Sequence, residues 1–260
     1  MRTTRSVVHS ALAVLLLGTA VLAQDADSSS RGVARLSMIS GDVSLRRGDS
    51  GDFVAAATNS PLVVQDRVLT GPKASAEVQF DWANIIRLAG DTEIRLSELE
   101  NRRYQVQIAH GLTTFRVLRD SEADVDISTP QVSVRPVKQS TIRILVRDDG
   151  ETEVTVRSGE VDIYTPRGVE RLKSGKTIMV RGTAADPEYQ IVAAAREDDW
   201  DRWNKDRDRD MERSSSYEHV SRDVYGAEDL DQNGRWVNDP AYGEVWTPRV
   251  ANDWAPYREG

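Results

Sequence analysis

Ser75-Ala76-Glu77-Val78-Gln79-Phe80 sets Ala76, Val78 and Phe80 on one side of an extended chain, with Glu77 and Gln79 on the other. The same rule recurs outward from this stretch in Ile86 and Leu88, Ile94 and Leu96, Val106 and Ile108, and Phe115 and Val117. Period-two alternation is the pattern of strands with one buried face. Turn signals separate the runs at Gly48-Asp49 to Gly51-Asp52, Gly71-Pro72, Gly90-Asp91, His110-Gly111, Asp148-Asp149-Gly150 and Ser158-Gly159. Strands therefore recur about every 8–12 residues, as in all-β sandwiches and barrels. No long helical period interrupts them. The expected fold is mainly β, an antiparallel β-sandwich or jelly-roll-like domain over residues 33–185, with Val78, Phe80, Ile86, Leu88, Ile94, Ile108, Phe115, Ile144 and Val156 in its core.

Asp148-Asp149-Gly150 lies between the alternating runs Ile142-Arg143-Ile144-Leu145-Val146 and Val154-Thr155-Val156, which predicts a hairpin tip. Gly-Asp/Glu-Val units open strand-like segments at Gly41-Asp42-Val43 and Gly159-Glu160-Val161. Between them stand Leu62-Val63-Val64-Gln65-Asp66-Arg67-Val68-Leu69-Thr70-Gly71, Ala74-Ser75-Ala76-Glu77-Val78, Ile86-Arg87-Leu88-Ala89-Gly90-Asp91-Thr92-Glu93 and Ser128-Thr129-Pro130. This order of residues over 33–180 resembles the FecR-type extracytoplasmic domain, and Lys173-Ser174-Gly175-Lys176 is similar to that family's closing turn. The chain departs from the family after Thr129-Pro130, where Gln139-Ser140-Thr141 replaces the usual Gly-Thr pair. The founding members are anti-sigma regulators with a sensing domain outside the inner membrane. The resemblance implies an extracytoplasmic domain that binds a protein, glycan or small ligand. A direct transmembrane regulator is not expected, because no cytoplasmic domain is recognised before the apolar segment.

Residues 1–23 follow the grammar of a secretory signal: Arg2 and Arg5, an apolar run from Ala11 to Leu17, and Val21-Leu22-Ala23 before Gln24. Cleavage after Ala23 and a secreted or periplasmic location are expected, with no transmembrane segment in the mature chain. The chain has no cysteine, which excludes both a lipid-anchored cysteine and disulfides. Its formal net charge is −8, and loss of Arg2 and Arg5 leaves 32 basic against 42 acidic side chains, or −10. That balance argues against nucleic acid as a partner, since phosphate binding needs clustered Lys and Arg with little opposing charge.

Beyond the β pattern, residues 189–214 read as one charged helix or linker. Asp198 with Arg202 and Asp201 with Lys205 stand at i,i+4 spacing, while Trp200, Trp203 and Met211 form a thin apolar seam. A mostly solvated helix docked by its two tryptophans is expected. Residues 217–260 form an aromatic and proline-rich region. Gly234-Arg235-Trp236 to Trp246-Thr247-Pro248, with Asp253-Trp254-Ala255-Pro256-Tyr257, is similar to a Trp/Pro/Tyr repeat family of unknown function found in secreted bacterial proteins beside FecR-type domains. Arg258-Glu259-Gly260 looks like the lead-in to a further unit. Trp236, Tyr242, Trp246, Trp254 and Tyr257 are the candidate ligand-binding residues, because aromatic faces suit sugar stacking. The alternative for the same rings is mutual packing of Trp and Pro in short strands.

No catalytic residue, cofactor or metal site is expected. The sequence lacks a Gly-x-Ser-x-Gly elbow, a His-Glu-x-x-His pair and a Gly-rich phosphate loop, and a calcium-like start at Asp229-Leu230-Asp231 has Pro240 where the bidentate Glu belongs. The expected function is an exported, non-enzymatic binding or assembly module of the cell envelope, with a protein or envelope polysaccharide as partner. Two alternatives are a glycan-binding envelope protein using the C-terminal aromatics, and an extracytoplasmic signalling module acting on a separate membrane partner.

Overall fold

The computed structural model describes residues 32–48, 51–100, 102–119, 121–251 and 254. The expected leader, the Asp49 turn position and Tyr257 lie outside them. The chain first forms β1 (Ala34–Ser40), β2 (Val43–Arg46), β3 (Val54–Ala55), β4 (Pro61–Leu62), β5 (Arg67–Thr70), β6 (Ser75–Gln79), β7 (Asn84–Leu88) and β8 (Thr92–Glu100). It continues through β9 (Arg103–Val117), β10 (Asp124–Ser128), β11 (Ser133–Pro136), β12 (Ser140–Val146), β13 (Thr152–Ser158), β14 (Glu160–Thr165), β15 (Gly168–Lys173), β16 (Lys176–Gly182) and β17 (Pro187–Ala193).

These strands build two sheets that share β9. One runs β3-β2-β5-β8-β9-β10-β11-β14-β15. The other runs β4-β1-β6-β7-β9-β12-β13-β16-β17. The first half of β9 pairs with β8 up to His110, and the second half pairs with β12 from Gly111 onward. His110-Gly111 is therefore not a turn, as the sequence pattern predicts, but a bend inside one long strand. Gly111 takes φ +98°, which lets the strand leave one sheet and enter the other. The Gly-Asp/Glu-Val units mark the same kind of corner, for Gly41 joins β1 to β2 and Gly159 joins β13 to β14 across the two sheets.

The fold is mainly β, and among the described residues every pairing is antiparallel except β9 with β10, which is parallel from Arg103 and Asp124 onward. The Asp148-Asp149-Gly150 tip joins β12 to β13, closed by hydrogen bonds from Gly150 N to the Arg147 carbonyl and from Arg147 N to the Glu151 carbonyl, both 2.9 Å. Between the sheets lie all nine expected core side chains, each at most 2 % exposed, with Phe80 against Tyr104 and Phe115. The β region does not stop near residue 185. Strand β17 pairs with β16 as far as Ala193, because Ile191 and Tyr189 continue the alternation beside Ile178 and Val180.

After β17 come α1 (Asp199–Glu212), a 3-10 turn (Ser215–Glu218), the short α2 (Asp229–Asn233), and an antiparallel hairpin of β18 (Gly234–Asp239) and β19 (Gly243–Pro248). A capping box starts α1: the Asp198 carboxylate accepts from Asp201 N at 3.0 Å while the Asp201 carboxylate accepts from Asp198 N at 3.2 Å. No helix among the described residues is long and apolar enough to cross a membrane.

Candidate functional site

The polar phase of the alternating strands carries a row of charges on the outer face of the β6–β13 sheet. Register places Glu77 beside Arg87, Arg87 beside Thr114, and Thr114 beside Arg143. Arg116 and Arg157 extend from neighbouring strands on the same face. Solvent does not cover them. Helix α1 lies over this face and turns Asp201, Asn204, Asp208 and Met211 toward it, at i, i+3, i+7 and i+10.

Arg87, fully buried, is the hub. Its Nε donates to Glu77 Oε2 at 2.7 Å, and its Nη1 donates to Asp208 Oδ1 at 2.6 Å and to the Asn204 carbonyl at 3.1 Å. Arg116 Nε donates to the other Asp208 oxygen at 2.8 Å. Toward the helix start, Arg157 grips Asp201 with two bonds of 3.1 and 2.6 Å, and Arg143 reaches Asp198 and Asp201 at 2.8 and 3.2 Å. Trp200 does dock, its indole donating to Thr114 Oγ1 at 2.9 Å, and it stacks on Trp203. The expected solvated helix held by two tryptophans is thus corrected: buried arginine–carboxylate pairs seat α1, and the two rings flank them.

This arrangement shifts Glu77. Burial alone would raise its carboxyl, but Arg87 and Arg207 overcome burial and hold it at about 2 rather than 4.5. Because the folded value lies below the unfolded one, this stabilisation is complete above about pH 4.5 and disappears as pH falls toward 2. It corresponds to a loss on the order of 3 kcal/mol. Urea midpoints of the protein and of Glu77→Gln between pH 6 and 2.5 are expected to converge on acidification. Parallel curves for the two proteins would show that Glu77 does not carry the effect.

The C-terminal rings fall into different surroundings. Trp236 and Trp246 face each other across the hairpin. The Trp236 indole donates to Ser216 Oγ at 3.1 Å and its ring stacks on His219 at 4.4 Å, while the Trp246 indole donates to the Leu230 carbonyl at 3.1 Å. Trp254 lines a cavity of about 450 Å³ with Arg235, Thr247 and Pro248. Tyr242 stands at the hairpin tip, 83 % exposed. The described rings therefore form no single flat platform. The region is anchored to the sheets through Arg35, whose guanidinium pairs with Asp229 and lies 3.6 Å from Glu228.

Sequence reasoning missed the surface beside this anchor, where Gly226 lies against Arg35. Asp81-Trp82-Ala83 in the β6–β7 turn, Arg102 and Tyr104 at the start of β9, Ser121 to Ala123 before β10, and Asp223 and Tyr225 from the C-terminal region line a cavity of about 370 Å³. These residues are scattered along the sequence in turns, so no local pattern joins them. Among the described residues no group of three or more His, Cys, Asp or Glu side chains could hold a metal ion.

Comparison with known proteins matches two separate segments of the chain. Residues 66–162 match the FecR protein family. Residues 227–260 match a family of unknown function, DUF6600. The FecR match is narrower than the resemblance over 33–180, yet β1 to β4 and β15 to β17 lie in the same two sheets as the matched core. Two crystal structures of a candidate anti-sigma factor from Parabacteroides distasonis ATCC 8503 align at 22 % identity with a TM-score of 0.42, over 49 % of this chain and 59 % of that one. Among curated proteins none is similar.

Proposed function

We propose that this FecR-type protein is an exported, non-enzymatic binding or assembly module of the cell envelope, with a protein as its partner. The observation that carries this reading is the FecR match over residues 66–162, set in a sandwich with α1 docked on one face. With that face partly occupied, the outer face of the other sheet, the turns at the sandwich ends and the C-terminal hairpin remain open to a partner. A role as a signalling module acting on a separate membrane partner is the second reading, and the same family match favours it. The polysaccharide reading has less support: two of its rings, Trp236 and Trp246, have their indole N–H groups committed within the chain.

The test is recovery of the full-length protein from cell fractions, with its N-terminus read by mass spectrometry and its envelope partners captured by cross-linking. A mature form starting at Gln24, cross-linked to a defined envelope protein, is expected. Retention of residues 1–23 or capture by purified polysaccharide alone would sink the respective parts of the reading.

A further inference from the structure

The cavity at the Trp82 end of the sandwich has a composition that the fold does not explain. Three rings, Trp82, Tyr104 and Tyr225, share it with three carboxylates, Asp81, Glu122 and Asp223, and with one cation, Arg102. Arg102 pairs with Glu122 at the exposed rim. The lining thus carries three carboxylates against one guanidinium, with Arg222 beside it over the Trp82 ring, and neither Asp81 nor Asp223 is hydrogen-bonded to a lining cation. Asp81 is held rigidly: one oxygen accepts from Ala83 N and Asn84 N at 2.7 Å, and the other accepts from Tyr104 OH at 2.9 Å. Its hydrogen bonds are filled, but its charge remains and acts on the cavity. Asp223 accepts from Ser221 Oγ at 3.2 Å.

Burial first, and then the Asp81 charge, push the Tyr104 and Tyr225 hydroxyls upward, so both phenols stay neutral. The chain already uses this chemistry next door, where the Arg222 guanidinium lies 5.5 Å from the Trp82 ring centre and 5.1 Å from that of Tyr217. Tyr225 is 43 % exposed and so can meet an entering group. A cavity of about 370 Å³ is small for a ligand site, and it suits one side chain better than a chain of sugars.

We propose that this cavity receives the guanidinium or ammonium end of an arginine or lysine side chain from a partner protein, between Trp82, Tyr225 and the Asp223 carboxylate. The inference rests on the protein-binding reading above and names the chemistry of the contact. A neutral sugar would gain little from the excess of carboxylates, whereas a cation gains both the charge and the ring faces. Asp223 and Tyr225 belong to the segment just before the DUF6600 match, and the other lining residues to the FecR match. The site therefore exists only when both parts of the chain are docked together.

The test is an NMR titration of the full chain with the peptide Ac-Gly-Arg-Gly-NH2, followed at the Trp82 indole, which Trp82→Phe identifies. Saturable shifts are expected with the arginine peptide and with its lysine counterpart, weakened by salt. The isosteric citrulline peptide should bind at least about tenfold more weakly, as should the arginine peptide to Asp223→Lys with an unchanged melting temperature. Tyr225→Ser, at an exposed position, supplies a second variant and should weaken binding about fivefold. Equal binding of arginine and citrulline peptides, no shift at millimolar peptide, or shifts caused by chitotriose in place of the arginine peptide would overturn the assignment. Capture of an envelope protein with undiminished affinity by Asp223→Lys would remove this pocket while leaving the binding-module reading in place.

Discussion

Arg87→Met is expected to destabilise the protein by about 3–5 kcal/mol, the usual cost of removing one partner from a buried ion pair. The side chain is fully buried, so methionine keeps most of its volume and the loss is electrostatic. Glu77 would keep only Arg207 and Ser37, and Asp208 would keep only Arg116, as hydrogen-bonded partners to their carboxylates. The first consequence should be local. Helix α1 loses its central anchor, and limited proteolysis within Asp199–Glu212 should accelerate before the sandwich unfolds. The double variant Arg87→Met/Glu77→Leu should recover part of the loss, since it removes both charges together. Urea unfolding of the two variants checks this, and a cost below about 1 kcal/mol for Arg87→Met would mean that α1 is seated by packing alone.

Gly111→Val should be at least as damaging, costing more than about 4 kcal/mol or preventing folding altogether. Two effects combine. At φ +98° a branched side chain is strained on its own account, and a Cβ there would come within 2.3 Å of Thr92 Oγ1, 2.5 Å of Thr92 Cα and 2.6 Å of the Asp91 carbonyl. Thr92 cannot retreat, being fully buried with its hydroxyl oxygen accepting from Leu112 N at 3.0 Å. Gly175→Ala isolates the conformational part, because Gly175 sits at φ +82° with nothing within 4 Å of its would-be Cβ. That control should cost only about 1–2 kcal/mol. Equal losses for Gly111→Ala and Gly175→Ala, measured by thermal or urea unfolding, would show that the crossing of β9 is not crowded as described.

Much of the sandwich was legible because strand alternation and turn chemistry are local. Val78, Phe80, Ile86 and Phe115 face the core as their spacing predicts, and Asp148-Asp149-Gly150 makes its hairpin. The reading failed where a local signal has two structural solutions. A His-Gly pair can end a strand or bend it, and only the pairing of β9 with both sheets selects the bend. Likewise, Glu77 and Gln79 sit on the polar phase of β6 yet are fully buried, Glu77 where Arg207 of α1 lies on it and Gln79 where Arg35 donates to it. A signal for this was present: Arg87, Arg116, Arg143 and Arg157 recur at one phase of successive strands, and Asp201 and Asp208 stand seven residues apart on the helix. Two matching charge patterns whose partners stand 44 to 121 residues apart show a contact only once strand order is known.

The sequence by itself determined the mainly β class, the hairpin tip, and the succession of FecR-type segment, charged helix and aromatic region, since each depends on residues within a turn or two of one another. The tertiary structure decided which polar side chains are buried, that β9 and β10 run parallel, that the helix is an integral layer, and that Asp81, Trp82, Tyr104, Asp223 and Tyr225 share a cavity. Those outcomes depend on which distant segments meet. Burial, unlike strand propensity, belongs to a residue's neighbours in space.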